Sequence, residues 1–140
     1  MPNDKTKEIP ILAEELPLQI LLAEDNRVNQ KIVLNILKKL GYSADAVSNG
    51  LEVLNALKRQ KYDIILMDMQ MPVMGGLEAT KKIYEQFSPT EIPYIISVTG
   101  NEIESDKQLC FDAGMNDYLT KPIGIQDLIE VLRKYQEQIK

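Results

Sequence analysis

The amino-acid sequence predicts one α/β domain built on a doubly wound parallel sheet. Three observations carry this reading. Short apolar runs of strand length alternate with segments of helical period, and the order strand-then-helix repeats five times. The chain has 140 residues, 44% of them hydrophobic, which suits one domain with one substantial core. Alternation of this kind implies parallel strands, because each crossover is right-handed and packs its helix back onto the sheet.

The elements follow in order. Residues 1–17 carry Pro2, Pro10 and Pro17 among scattered charges, with neither helical nor alternating period, and read as a tail or linker ahead of a domain over 18–140. Strand one is Ile20 to Ala23. Helix one places Val28, Ile32, Val33, Ile36, Leu37 and Leu40 on one face, with Lys38 and Lys39 in its last turn and Gly41 as its stop. Strand two, Ala44 to Val47, is mixed in character and reads as an edge. Helix two opens on Asn49, with Glu52 at capping-box spacing, and buries Leu51, Leu54 and Leu57.

Strands three (Ile64 to Met67) and four (Tyr94 to Val98) are predominantly apolar, as central strands covered on both faces are. Between them helix three runs from about Gly76 to Phe87 on Leu77, Thr80, Ile83 and Phe87. Helix four takes Asn101 as its cap and Glu104 at the third position, then Leu109, Cys110 and Ala113 before the stop at Gly114. Strand five is Asp117 to Leu119, and helix five presents Ile125, Leu128, Leu132, Tyr135 and Ile139.

Composition removes several classes of function. A net charge of −5 and a pI near 4.8 argue against a grip on nucleic acid, which is built from Lys and Arg contacts to phosphates. Histidine is absent, which excludes His-ligated zinc and nucleophilic sites that need an imidazole. The longest apolar runs are far short of the ~20 residues that span a bilayer, so no membrane segment is expected. The first residues lack the apolar stretch of a secretory signal, which suits a cytoplasmic protein. The one cysteine, Cys110, lies among Leu109, Phe111 and Ala113 and reads as a small buried hydrophobe.

In a doubly wound sheet ligands bind beyond the carboxyl ends of the strands, where strand order reverses. Strand one ends in Glu24-Asp25, strand three in Asp68, strand four in Thr99, and strand five leads into Lys121-Pro122. Singly, each has an ordinary explanation: a helix cap, a turn residue, a surface lysine. Together they deliver three carboxylates, a hydroxyl and an ammonium to one sheet edge. Crowded carboxylates repel, and a hard cation such as Mg²⁺ (or Mn²⁺) relieves the repulsion while keeping several waters. With a phosphoryl donor in line with one Asp oxygen, metal and ammonium neutralise the equatorial oxygens, so positioning and electrostatics suffice.

Three segments carry a resemblance: Leu21-Leu22-Ala23-Glu24-Asp25-Asn26, then Leu66-Met67-Asp68-Met69-Gln70-Met71-Pro72-Val73-Met74-Gly75-Gly76, and Asp117-Tyr118-Leu119-Thr120-Lys121-Pro122. In this order and spacing the chain resembles, over about 18–138, the receiver domain of two-component response regulators. It most resembles receiver modules of hybrid sensor histidine kinases. The resemblance implies a flavodoxin-like fold of sheet order 2-1-3-4-5 with five helices. It implies that Asp68 is the phosphoacceptor, with Mg²⁺ held by Glu24, Asp25, Asp68 and the backbone carbonyl of Gln70. Thr99 would hydrogen-bond the phosphoryl group and Lys121 pair with it, across a cis Lys121–Pro122 peptide. Tyr118 would turn inward with Thr99 on switching, and Gln70 and Asn101 would tune phosphoryl lifetime.

The same resemblance implies a histidine kinase or a histidine phosphotransfer protein as partner, and an output face of helix four, strand five and helix five that can support a phosphorylation-dependent homodimer. Gly124 departs from the pattern, standing where Asp or Ser often caps helix five, so a weaker helix start is expected. Two other readings stand beside the leading one. An Asp-nucleophile phosphatase would use the same metal, but usually places a further acid two residues after the nucleophile, where this chain has Gln70. A pseudo-receiver would have lost an acid, the Thr or the Lys, and none is missing.

Overall fold

The computed structural model describes residues 11–100 and 104–139. In it β1 (Ile20–Ala23), β2 (Asp45–Val47), β3 (Ile64–Asp68), β4 (Tyr94–Thr99) and β5 (Asp117–Thr120) form one parallel sheet, in the order β2-β1-β3-β4-β5. The mixed strand, β2, is an edge as its composition predicts. Successive strand residues point to opposite faces, and here both faces are apolar. Ile20, Leu22, Ile64, Leu66, Ile96 and Val98 feed one core layer, while Leu21, Ala23, Ile65, Met67 and Ile95 feed the other.

Among the described residues six α-helices cover the sheet, one more than the sequence predicts. The predicted five are α2 (Arg27–Lys39), α3 (Gly50–Arg59), α4 (Gly76–Gln86), α5 (Glu104–Ala113) and α6 (Ile125–Gln138). Val33, Leu37, Leu128 and Leu132 of α2 and α6 cover the first layer; Val53, Leu54, Ala79, Ile83 and Cys110 of α3, α4 and α5 cover the second. The extra helix is α1 (Leu12–Glu15), inside the segment expected to be a tail. Leu12 and Leu16 are both buried in the first core layer. Tyr42 Oη donates to the Leu16 carbonyl at 2.7 Å, Ala13 N–H donates to the Leu40 carbonyl at 2.9 Å, and Arg133 pairs with Glu15 at 2.7 Å. A four-residue helix shows no period, and Pro17 ends it one residue past its cap, so only tertiary contacts could reveal it.

Some apolar helix positions face outward. Val28 and Ile32 are exposed at 66% and 48%, because the first turns of α2 start beyond the carboxyl edge of the sheet. Leu51 is exposed in α3, where Val53 and Ala56 are buried instead, and Leu109 and Ile139 also face solvent. Cys110 is buried, its Sγ 3.2 Å from Ser97 Oγ. The start of α6 is not bare: Asp127 Oδ2 accepts the Gly124 N–H at 3.0 Å, supplying from the third helical position what a glycine cap lacks. Asn101, the expected cap of helix four, lies outside the described residues.

Candidate functional site

Strand order reverses at β1, which lies between β2 and β3, so the site is expected beyond its carboxyl end. The register does the rest. Ala23 pairs with Met67, Asp68 with Val98 and Thr99 with Thr120, so Glu24, Asp68, Thr99 and Lys121 leave four adjacent strands at nearly one level. They line one cleft of about 570 Å³ together with Asp25, Asn26, Asn29, Met69, Gln70, Leu77, Gly100, Asp106 and Leu109.

Glu24 and Asp68 are buried, Asp25 is exposed, and the three can each offer an oxygen within 4.8 Å of the others. Lys121 Nζ lies 3.0 Å from Asp68 Oδ2 and 3.1 Å from Glu24 Oε1. Burial of the ammonium would lower its pKa; hydrogen bonds to Asp68 and Glu24, and their charges, outweigh this and hold it above the ordinary lysine value. The remaining oxygens are also engaged: Asn26 N–H donates to Glu24 Oε2 at 3.1 Å, and Gln70 N–H to Asp68 Oδ1 at 3.2 Å.

Local backbone chemistry aims these groups. Asn26 caps α2, its Oδ1 accepting the Asn29 N–H at 2.9 Å, and so turns the chain sharply after Asp25. After Asp68 the loop folds back, with Gly76 N–H donating to the Met69 carbonyl at 3.1 Å. A Cβ on Gly76 would strike the Asp68 carbonyl, so the tight return requires glycine there. Met74 anchors the loop tip by accepting the Gly50 N–H at 2.8 Å, and Val73 beside it has a positive φ of 68°. Lys121 N–H donates to the Thr99 carbonyl at 2.8 Å, and the Lys121–Pro122 peptide is cis.

Of the predicted site residues, Glu24, Asp25, Asp68, Gln70, Thr99 and Lys121 converge on the cleft. Tyr118 does not line it. Its half-buried ring packs edge-on against Phe111, centroids 6.4 Å apart, with Lys107 Nζ 4.5 Å from its centroid. Asn101 lies outside the described residues. The sequence reading missed Asn29 and Asp106 in the cleft wall, and Gln30 behind it. Gln30 had one legible signal: at the fourth position after the Asn26 cap, it faces back toward the strand end.

Three carboxylates from two strand ends, one of them open to water, are the hard oxygen donors that Mg²⁺ takes, and an ammonium already sits among them, so the donor set fits that ion. The fold and site together define a class: doubly wound domains with a cluster of carboxylates and a lysine at the switch point. Within that class the chain belongs to the response regulator receiver domain family, which it matches over residues 20–133.

Relatives agree. The chain is 41% identical to Histidine protein kinase 1 of Candida albicans over 137 residues, covering 91% of this chain and 6% of that protein. It therefore spans a small fraction of the curated relatives it matches. It also resembles the receiver domain of the sensor histidine kinase PA1611 of Pseudomonas aeruginosa, solved with magnesium in its active site cleft (40% identity, TM-score 0.75, 84% and 95% of the two chains covered). A third likeness is to a structure of the Saccharomyces cerevisiae phosphotransfer protein Ypd1 with the receiver domain of Ssk1 (34% identity, TM-score 0.71, 79% and 83% covered). Among the described residues no helix is long and apolar enough to cross a membrane.

Proposed function

We propose that Asp68 accepts a phosphoryl group from a phosphohistidine on a partner protein. The observation that supports this best is the meeting of Lys121 Nζ with Asp68 Oδ2 at 3.0 Å beside the Glu24 and Asp25 carboxylates. In the transfer one Asp68 carboxylate oxygen forms a bond to phosphorus, the P–N bond breaks, and the imidazole leaves with its electron pair. These 140 residues contain no histidine, so the donor comes from outside them.

Glu24, Asp25 and Asp68 would hold Mg²⁺ or Mn²⁺, with the Gln70 carbonyl as a further ligand. The ion supplies neutralisation of charge on the phosphoryl oxygens. Lys121 would neutralise one phosphoryl oxygen with its ammonium, and the Thr99 hydroxyl would hydrogen-bond another. Gln70 and Asn101, at the margin of the site, would tune how long the phosphoryl group lasts. Output would run through α5, β5 and α6, with Tyr118 as the side chain that changes packing between two populations, and a phosphorylation-dependent homodimer through that face belongs to the same reading. The donor or acceptor is a histidine kinase or a histidine phosphotransfer protein, in the cytoplasm, where the kinase has ATP. As an isolated module the chain would act as a phosphoacceptor and not as an enzyme on other substrates.

Mass spectrometry after incubation with acetyl phosphate and Mg²⁺ tests the reading. The expected result is one base-labile phosphoryl adduct on the wild type and none on Asp68→Asn. An adduct retained by Asp68→Asn, or steady turnover of a phosphomonoester by the wild type, would instead support another acceptor or a phosphatase.

A further inference from the structure

The hydrogen-bond ladder between β1 and β2 ends at the site. Its last rung is Glu24 N–H to the Val47 carbonyl at 3.0 Å. Beyond that rung β2 has ended, so the Glu24 carbonyl has no strand partner on that side, and a buried carbonyl without a donor is costly. Gln30, one turn into α2, fills the position. Its Nε2 donates to the Glu24 carbonyl at 2.5 Å, reaches the Val47 carbonyl at 3.3 Å, and lies 3.5 Å from Ser48 Oγ.

Glu24 is thereby held at four atoms by four different groups. Its N–H is bound to Val47, its carbonyl to Gln30, its Oε2 to the Asn26 N–H and its Oε1 to Lys121. Among the described residues Asp25 has no such set; its placement follows from the backbone on either side, Glu24 before it and the capped Asn26 after it. The Gln30 amide ties that backbone at once to the helix above and to the neighbouring strand end.

We propose that Gln30 is a positioning residue for the acidic pair: by capping the end of the β1-β2 ladder it fixes the peptide between Glu24 and Asp25, and with it the geometry that captures a divalent cation. The proposal rests on the metal site proposed above. Gln30 does not line the cleft, and its effect passes through the Glu24 carbonyl. Groups that orient metal ligands in this indirect way typically change affinity about 10- to 100-fold when lost.

The experiment is a Mg²⁺ titration of the whole chain, followed by amide NMR shifts at Asp25 and Asp68 and by calorimetry, on the wild type and Gln30→Met. Methionine keeps the length and volume of glutamine but has no donor. Leu37→Ala serves as a control that loses stability at a core position away from the cleft. The expected result is about tenfold weaker Mg²⁺ binding in Gln30→Met under conditions where it is fully folded, with the affinity of folded Leu37→Ala unchanged. Wild-type affinity in folded Gln30→Met overturns the positioning role and leaves the metal site standing. Absence of Mg²⁺ binding by the wild type overturns both. Should Gln30→Met not fold, the side-chain amide protons of Gln30 in the wild type decide. Slow solvent exchange and a shift on Mg²⁺ addition support the proposal; fast exchange with no shift refutes it.

Discussion

Lys121 and Asp68, 53 positions apart in the chain, meet at 3.0 Å through Nζ and Oδ2, and the same ammonium reaches Glu24 Oε1 at 3.1 Å. The lysine thus pairs with two of the three carboxylates and offsets one unit of the negative charge that a cation would otherwise have to relieve. In the proposed reading a metal would share that task with the lysine, and the phosphoryl group would be received between them.

Replacing Lys121 by alanine separates these roles. Removal of the ammonium leaves the carboxylates less neutralised, so Mg²⁺ binding is retained or tightened, while the metal-free protein loses about 1 kcal/mol of stability to like-charge crowding. Phosphorylation from acetyl phosphate slows at least about tenfold, since one neutralising charge is gone. Calorimetric Mg²⁺ titration with a phosphorylation time course checks both parts. A variant that lost its Mg²⁺ affinity yet accepted phosphoryl groups at the wild-type rate would contradict the assignment.

The amino-terminal turn makes a second prediction. Leu12 is wholly buried and Leu16 nearly so, and each completes the same core layer as Leu37 and Leu132. Leu12→Ala should cost about 2–4 kcal/mol in chemical denaturation, the range for a buried leucine. A chain starting at residue 18 should lose at least as much. A midpoint unchanged by Leu12→Ala would show that these residues are the tail their sequence suggests.

Alkaline pH makes the third. Burial pushes the phenol of Tyr42 up to about 12, against the neighbouring Arg133 charge, and burial with the 2.6 Å hydrogen bond to Asp45 pushes Tyr62 up to about 12 as well. In the unfolded chain both titrate near ~10. The folded state therefore holds these protons more tightly. Its contribution to stability is complete below about pH 10 and is lost as pH rises from there toward 12. Denaturation midpoints should be level on this account up to pH 9 and fall beyond 10, less steeply in Tyr42→Phe. Equal slopes in variant and wild type would show that the Tyr42 phenol titrates alike in both states.

Much of the fold was legible because its signals are local. Strand runs such as Ile64 to Met67 and caps such as Asn26 and Asn49 act within a few residues; in the structure Asn49 Oδ1 accepts the Glu52 N–H at 2.9 Å. The reciprocal bond shifts by one residue, since Glu52 Oε1 accepts from Ser48 N–H at 2.6 Å, a detail spacing alone does not resolve. The candidate site was legible for a related reason. Parallel strands ending at one level carry whatever follows them to one edge, so Glu24, Asp25, Asp68, Thr99 and Lys121 could be grouped without coordinates.

The sequence by itself determined the order of elements, the parallel sheet and the identity of the acids, hydroxyl and amine at its carboxyl edge, because periodicity and strand-end chemistry are written over short spans. Tertiary structure alone decided that Val28, Ile32, Leu51 and Leu109 face outward, that Leu12 and Leu16 are core, and that Gln30 closes the ladder behind Glu24. Each of those outcomes depends on a neighbour distant in the chain: where the sheet ends beneath a helix, what fills the gap between α2 and α6, and which carbonyl a strand end leaves without a partner.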